Sequence, residues 1–311
     1  MKSDSTAPAP SARELWLIIL PTSLLFVLFH FWGNRSNVAM ESSSLFRWIG
    51  SQWINPGGDF SHGWMMPLIS IGIVWMHRRE LASAPRYQDG RGLILVILSL
   101  ALHWAALRAQ QPRVSLVALA TLLWSVPFYL YGWPLARWLL FPCGYVLLSF
   151  TSYILVAFAF PLRIMASALS TVILNGLGIA AVRNGTIIHS AAGGAFSFNV
   201  ADPCSGLRSL AAMTALAAPY AYFTQRSLPR KWMLFAFAIP LAMLANAARI
   251  VTIAIVAELF GQDAAMSLYH DYSGYLVFFL ATLLMIGAGA LLHINLTELL
   301  QRWKKNFSPN I

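Results

Sequence analysis

The chain has 311 residues, of which 58% are hydrophobic and only 10% charged, a mixture that excludes an ordinary soluble globular protein and fits a polypeptide dissolved mainly in lipid. Its formal net charge of +10 invites a nucleic-acid reading. The basic residues sort by loop, however, so the excess is an orientation signal and nucleic acid is not an expected partner.

Residues 1–14, rich in Ser, Ala and Pro, read as a disordered cytoplasmic tail. A hydrocarbon core about 30 Å thick takes about 20 apolar residues per helix. Eight runs answer to that length, roughly 15–33, 61–77, 92–109, 113–132, 138–159, 205–224, 232–258 and 272–294. Backbone groups in lipid must be satisfied within the segment, so the expected fold class is an all-α polytopic membrane protein of about eight transmembrane helices. The first run resembles a signal peptide, but its apolar core is too long and Asn34-Arg35-Ser36-Asn37 makes a poor cleavage site, so it reads as a retained anchor.

In the following loop, 34–60, Leu45, Phe46, Trp48, Ile49 and Trp53 keep a helical spacing that predicts an interfacial helix with its tryptophans at headgroup level. The longest non-spanning segment, about 160–203, begins with an amphipathic stretch to Val182. It continues with β-branched and alternating residues on either side of Gly193-Gly194, which predict a short β-hairpin before the sixth span. That hairpin either walls a peptide groove or covers helix ends. With no internal repeat and no soluble domain, 15–298 is expected to be one membrane-embedded domain, followed by a basic cytoplasmic tail at 299–311.

Orientation follows from the loops. With the N-terminus inside, the inner segments hold Lys2, Arg13, Arg78, Arg79, Arg86, Arg91, Arg137, Arg226, Arg230, Lys231, Arg302, Lys304 and Lys305, thirteen of the twenty-one Lys and Arg, so both termini are expected in the cytoplasm. Cys143 then falls near the inner end of the fifth span and Cys204 at the outer end of the sixth. A disulfide needs alpha carbons within about 7 Å, which opposite membrane faces forbid, so both thiols are expected to be free. Cys143 reads as a small buried apolar residue.

Asp202 is a good helix N-cap and Pro203 suits the first helical position, which puts Cys204 in the first turn of the sixth span. Unpaired N–H groups and the helix dipole there stabilise a thiolate, the reactive form of the sulfur. A structural role for a cysteine at a helix start is the alternative. Arg249 lies in the apolar run Leu244-Ala245-Asn246-Ala247-Ala248-Arg249-Ile250, where a charge costs several kcal/mol unless paired or hydrated. It shares a helix face with Asn246, and the pair reads as a catalytic feature or as a polar clamp between helices. His270, just before the eighth span, reads either as a hydrogen-bonding cap or as an acid–base group that takes a proton from a thiol and returns it to a leaving amine. A fixed cation at Arg249 suits the oxyanion of a tetrahedral intermediate.

Taken together, Cys204-Ser205-Gly206-Leu207, Asn246-x-x-Arg249 and His270 followed by Gly274 resemble, in order and at similar separations, three core motifs of the exosortase/archaeosortase family of membrane cysteine transpeptidases. Phe60-Ser61-His62-Gly63 resembles the family's upstream aromatic-Ser-His-Gly element, and the likeness runs from about residue 15 to about 295. The resemblance implies Cys204 as nucleophile, Arg249 as transition-state stabiliser and His270 as general acid–base residue. Asp202, Ser205, Asn246, Gly274 and His62 are expected to contact substrate or to position these groups. It further implies a bacterial inner-membrane protein whose active site faces the periplasm, on the same side as the β-hairpin. The implied reaction is cleavage of secreted proteins at a C-terminal sorting tail of a Pro-Glu-Pro-type signal, a membrane helix and a basic segment. A thioacyl enzyme would then pass to an amine acceptor or to water.

Asp202-Pro203 departs from many relatives ahead of the cysteine. After its eighth span the chain is also expected to lack the extra periplasmic domain of some exosortases, so a role in polysaccharide export is not assumed. No cofactor is called for. His62, His189 and His270 lack a HExxH-type spacing and make a poor metal set. A serine route through Ser205 is disfavoured because that side chain points about 100° around the helix from Cys204. The rival readings are a transporter that binds an anionic solute at Arg249, though inverted repeats and paired broken helices are not evident, and a non-catalytic assembly protein of an envelope or exopolysaccharide export system.

Overall fold

A computed structural model describes residues 12–33, 43–54, 62–150, 152–191, 196–199 and 207–293. The chain divides into two compact units, 1–150 and 151–311.

The first unit contains α1 (Ala12–Phe31), α2 (Leu45–Ile54), α3 (Met65–Met76), α4 (Arg78–Ser83), α5 (Gly90–Arg108), α6 (Pro112–Tyr131) and α7 (Trp133–Tyr145), then a 3-10 turn over Val146–Phe150. Its spine is the α5–α6 hairpin, closed through Gln110 in the left-handed region at φ 52°. The two helices touch where Gly92 meets α6: a Cβ at Gly92 would overlap the backbone nitrogen and Cα of Tyr129. The helix predicted in the 34–60 loop is present as α2, and its apolar face packs against protein. Leu45, Trp48 and Ile49 are buried with Phe29, Leu116, Leu119 and Leu122, because apolar side chains at this spacing fill a groove between α1 and α6 as readily as an interface.

The second unit contains α8 (Ser152–Gly176), a three-stranded antiparallel sheet, and α9 (Leu207–Thr224), α10 (Leu228–Phe260) and α11 (Gln262–His293). The sheet, in the order β1 (Ala181–Asn184), β2 (Ile187–Ser190), β3 (Ser197–Asn199), pairs Asn184 with Ile187 and His189 with Ser197. The hairpin expected around Gly193-Gly194 corresponds to β2 and β3, and β1 adds a strand. The amphipathic stretch expected to run to Val182 stops being helical at Gly176, with Gly178 at φ 84° turning the chain back into β1.

Among the described residues, three helices are long and apolar enough to cross a membrane: Gly90–Arg108, Pro112–Tyr131 and Leu228–Phe260. Shorter apolar stretches lie at Ile19–Phe31, Met65–Met76, Phe160–Gly176 and Phe278–Leu292. The run 138–159, expected as one span, is divided. Helix α7 ends at Tyr145 after an internal Pro142, the 3-10 turn follows, and a new helix starts at Ser152. Pro142 contributes no N–H to the helix ladder, and its own carbonyl accepts a hydrogen bond from Ser70 Oγ on α3 at 2.9 Å.

At the start of α5 the Asp89 carboxylate accepts from the Arg91 backbone N–H at 3.0 Å and from Arg91 Nε and Nη2 at 3.0 and 2.7 Å. The side-chain hydrogen bond from Arg91 holds Asp89 below its ordinary value of 3.8, against desolvation acting the other way. A folded-state pKa below the unfolded one gives a contribution that is complete above the unfolded pKa and is lost as pH falls through the folded one.

Two outcomes follow from these contacts. Gly92→Ala should lower the thermal midpoint in detergent, with a stability loss of about 1–3 kcal/mol from forced helix separation, whereas Gly72→Ala, with open space around it, should not. Asp89→Asn should be less stable than wild type at neutral pH, and melting curves across the acid range should converge as pH drops below 3.8. A gap independent of pH would mean that the ion pair is not its source.

Candidate functional site

Helices α10 and α11 are joined by Gly261 alone, at φ 87°. Their contacts fix an antiparallel register: Ala257 and Ala265, each four residues from Gly261, share one buried cluster, and Ala238, Ala242, Ala281 and Met285 share another. At 1.5 Å per residue, α10 is about 50 Å long and exceeds a hydrocarbon core of about 30 Å.

Arg249 lies twelve residues before Gly261 and His270 nine residues after it. The two backbone positions therefore stand about 18 and 14 Å from the turn, on adjacent helices and within about 5 Å in depth. His270 is not ahead of its helix, as the sequence suggested, but inside it, because α11 begins at Gln262. Helix α9 runs antiparallel to α10, and Leu210, Ala211, Met213 and Ala217 pack with Leu234, Ala238, Ala242 and Ala245. Leu207, the first residue of α9, is seventeen residues before Thr224, and Ala245 is seventeen residues after Leu228. The start of α9 is thus level with Ala245, about one turn from Arg249.

Asn246 is 4% exposed within the stripe of α10 that faces the other helices. Arg249, one turn on, is half-buried, with its Nε shut away from solvent. Asp202, Cys204 and Ser205 lie outside the described residues. So do the side chain of His270 and the surroundings of Gly274, although both positions belong to α11. His62 belongs to the first unit, in the turn before α3, where its carbonyl accepts from Met65 N at 3.1 Å and its Nε2 is buried. Cys143 is a half-buried free thiol of α7.

Four residues that the sequence reading passed over hold the frame around this region. Ser170, fully buried on α8, donates from Oγ to its own helix at Ala166 O, 2.7 Å, and reaches Ala247 O on α10 at 3.3 Å. Ser167, one turn earlier, donates to its own helix at Ile164 O, 2.9 Å, and also reaches the Gly185 carbonyl of the β1–β2 turn at 3.2 Å. Asn175 clasps Ala181 at both ends: its Oδ1 accepts from Ala181 N at 2.9 Å and its Nδ2 donates to Ala181 O at 3.1 Å. Gln262 Nε2 donates to Ser197 O at 3.2 Å, so β3 is fastened beside the Gly261 turn. Below these bonds Ile188 of β2 and Phe196, just ahead of β3, pack with Leu174, Ile250, Ile253 and Ala254. The signal was a pair of serines one turn apart on an apolar helix, Ser167 and Ser170, followed by Asn175 near the helix end.

The sheet is thus held to α8, α10 and the start of α11. A half-buried guanidinium in such a setting can neutralise an oxyanion or hold an anion. Among the described residues no three His, Cys, Asp or Glu side chains gather as a metal site.

A family model described as Transmembrane exosortase matches residues 53–287, which takes in most of both units. No curated protein and no solved structure matches the chain.

Removing the Asn175 clasp should loosen the sheet without unfolding the helices. In Asn175→Ala, amide exchange at Ala181 and its neighbours in β1 should accelerate, in line with about 1 kcal/mol for each net hydrogen bond lost, while exchange in α10 stays at the wild-type rate. Equal protection of β1 in both proteins would show that the apolar contacts of Ile188 and Phe196 hold the sheet by themselves.

Proposed function

This chain belongs to the transmembrane exosortase family, and from that premise we propose that it is a membrane-embedded cysteine protease or transpeptidase acting on membrane-anchored proteins with C-terminal sorting tails. The proposed catalytic residues are Cys204, Arg249 and His270. Asp202, Ser205, Asn246, Gly274 and His62 contact the substrate or orient these three.

The observation that supports this reading most directly is one of depth. The start of α9, Arg249 and the backbone of His270 fall within about 10 Å along the bundle axis, on three helices packed in one unit. Cys204 is three residues ahead of Leu207 in the sequence. Arg249 is also seventeen residues from Trp232, about 26 Å, which suits the membrane margin opposite the basic Arg230-Lys231 end. On the orientation given by the positive-inside rule, that margin is the periplasmic side of the inner membrane.

The chemistry is a double displacement. The Cys204 thiolate attacks the scissile carbonyl, a C–S bond forms, and the oxyanion is stabilised by the Arg249 guanidinium. Collapse of the intermediate breaks the C–N bond, and His270 supplies the proton that the departing amine requires. The thioester then accepts an amine or water, which gives its proton to His270, and breaking the C–S bond restores the thiolate. The substrate's own membrane helix fixes the depth of its peptide bond, so recognition and positioning are one event.

The test is co-expression with a tailed secreted protein that carries a Pro-Glu-Pro-type signal, followed by separation of precursor from product. Wild type should process it. Cys204→Ala and His270→Ala should accumulate precursor, and Arg249→Ala should lose on the order of 10²–10³ in rate, the usual cost of removing an oxyanion donor. Processing by Cys204→Ala at the wild-type rate would overturn the covalent mechanism. An iodoacetamide rate at Cys204 no faster than that of a model thiol at neutral pH would remove the activated thiolate.

A further inference from the structure

Helix α1 is joined to the rest of its unit only near its C-terminal end. Phe29 is buried there, and Leu25 and Leu28 pack against the same cluster. His103 Nε2 donates to Trp32 O at 3.1 Å, Ser43 Oγ donates to Phe31 O at 2.7 Å, and His30 Nδ1 meets Ser44 Oγ at 3.1 Å. Towards the other end the contacts stop. From Trp16 to Leu24 none of the described side chains is buried.

On the side away from Phe29, Trp16, Leu20, Ser23 and Val27 recur at steps of four, three and four, the spacing of a seam between two helices. At about 100° per residue they fall within about 60° of one another and about 120–180° from Phe29. Trp16, Leu20 and Val27 are exposed, and by themselves they would be an ordinary lipid face. Ser23 sets the stripe apart. It is exposed, eleven residues after Ala12 and eight before Phe31, hence about 16 and 12 Å from the helix ends and near mid-membrane. Its hydroxyl has no hydrogen-bond partner among the described residues. By contrast, the exposed hydroxyls of Thr121, Thr252 and Thr282 on other apolar helices each donate to the carbonyl four residues earlier, at 2.8, 2.9 and 2.7 Å. Ser23 thus carries an unbonded donor into hydrocarbon, where such a group is costly.

The membrane limits what can satisfy it. Acyl tails carry no acceptor. A bilayer fixes the direction and depth of α1, so a second copy inserted the same way brings its own Ser23 to the same level. Across a two-fold axis one hydroxyl donates and the other accepts. The small serine side chain also lets the two backbones approach.

We propose that α1 is an interaction surface for a second copy of the chain, the two helices running parallel along Trp16, Leu20, Ser23 and Val27 with the Ser23 hydroxyls bonded to each other. A single polar position in an apolar seam fixes the register of the pair. The contact is independent of the chemistry at Cys204.

Disulfide trapping in membrane vesicles from the expressing cells tests it, with the full chain carrying Cys143→Ser and Cys204→Ser so that an introduced thiol is alone. Ser23→Cys and Val27→Cys should give a covalent dimer on oxidation. Thr22→Cys, at the same depth but about 100° around the helix, should not. In Förster transfer between labelled full-length chains diluted into lipid vesicles, Ser23→Ala should weaken association about threefold, the usual worth of one hydrogen bond between membrane helices. Ser23→Thr should restore it, Thr22→Ala should match wild type, and melting curves establish that each variant is folded. Trapping through Thr22→Cys as strong as through Ser23→Cys, or association unaltered by Ser23→Ala, would refute the contact. A cross-linked product that joins the chain to a different protein and not to a second copy would refute it equally.

Discussion

The reversal at Gly261 controls the second unit. A single residue in the left-handed region links a helix of 33 residues to one of 32, so the two cannot slide past one another without breaking the turn. Small residues, Ala238, Ala242, Ala245, Ala254, Ala257, Ala265 and Ala281, line the contact and allow close approach without a hydrophobic driving force, since lipid tails are as apolar as leucine. Once that register is set, the depth of Arg249 sets the depth of His270, and the short connection from Thr224 to Leu228 sets the start of α9 at nearly the same level.

Polar side chains do the complementary work at the sheet. Inside a membrane domain a serine or asparagine carries a desolvation cost unless bonded, and here Ser167 and Ser170 bond the Ile164 and Ala166 carbonyls of their own helix while lying against the Gly185 and Ala247 carbonyls, and Asn175 bonds both ends of Ala181. Three strands of three or four residues would not persist alone. Fastened at Ala181, Gly185 and Ser197, and packed through Ile188 and Phe196, they form a fixed wall beside the helix ends. The two units divide the labour physically: the second fixes depths along a helix bundle, and the first gathers arginines over aromatic rings at one end of a tight helix hairpin.

Much of this was legible in the chain. The apolar runs at 92–109, 113–132 and 232–258 coincide with α5, α6 and α10, because a long run without charges can satisfy its backbone only as a helix. The spacing of Leu45, Trp48, Ile49 and Trp53 predicted α2, and the β-branched residues at 187–188 predicted a strand. The break at Val146–Phe150 was not legible: hydropathy is continuous there, and what divides the run is a proline within α7 and a change of hydrogen-bonding pattern that hydropathy does not carry. Nor was the fate of the α2 face, since a lipid surface and a protein groove select the same residues.

The sequence by itself determined the solvent, the family and the residue types capable of thiol chemistry, because composition, hydrophobic period and the order of short motifs are properties of the chain alone. Tertiary structure alone decided that α11 begins at Gln262 and carries His270 within its length, that Ser170 and Asn175 bind other segments, and that Arg91 and Trp133 border one groove. The physical reason is the same in each case. A hydrogen bond or a shared depth depends on helix registers that only long-range packing fixes, and residues more than seventy positions apart, such as Ser170 and Ala247, leave no local pattern that announces their meeting.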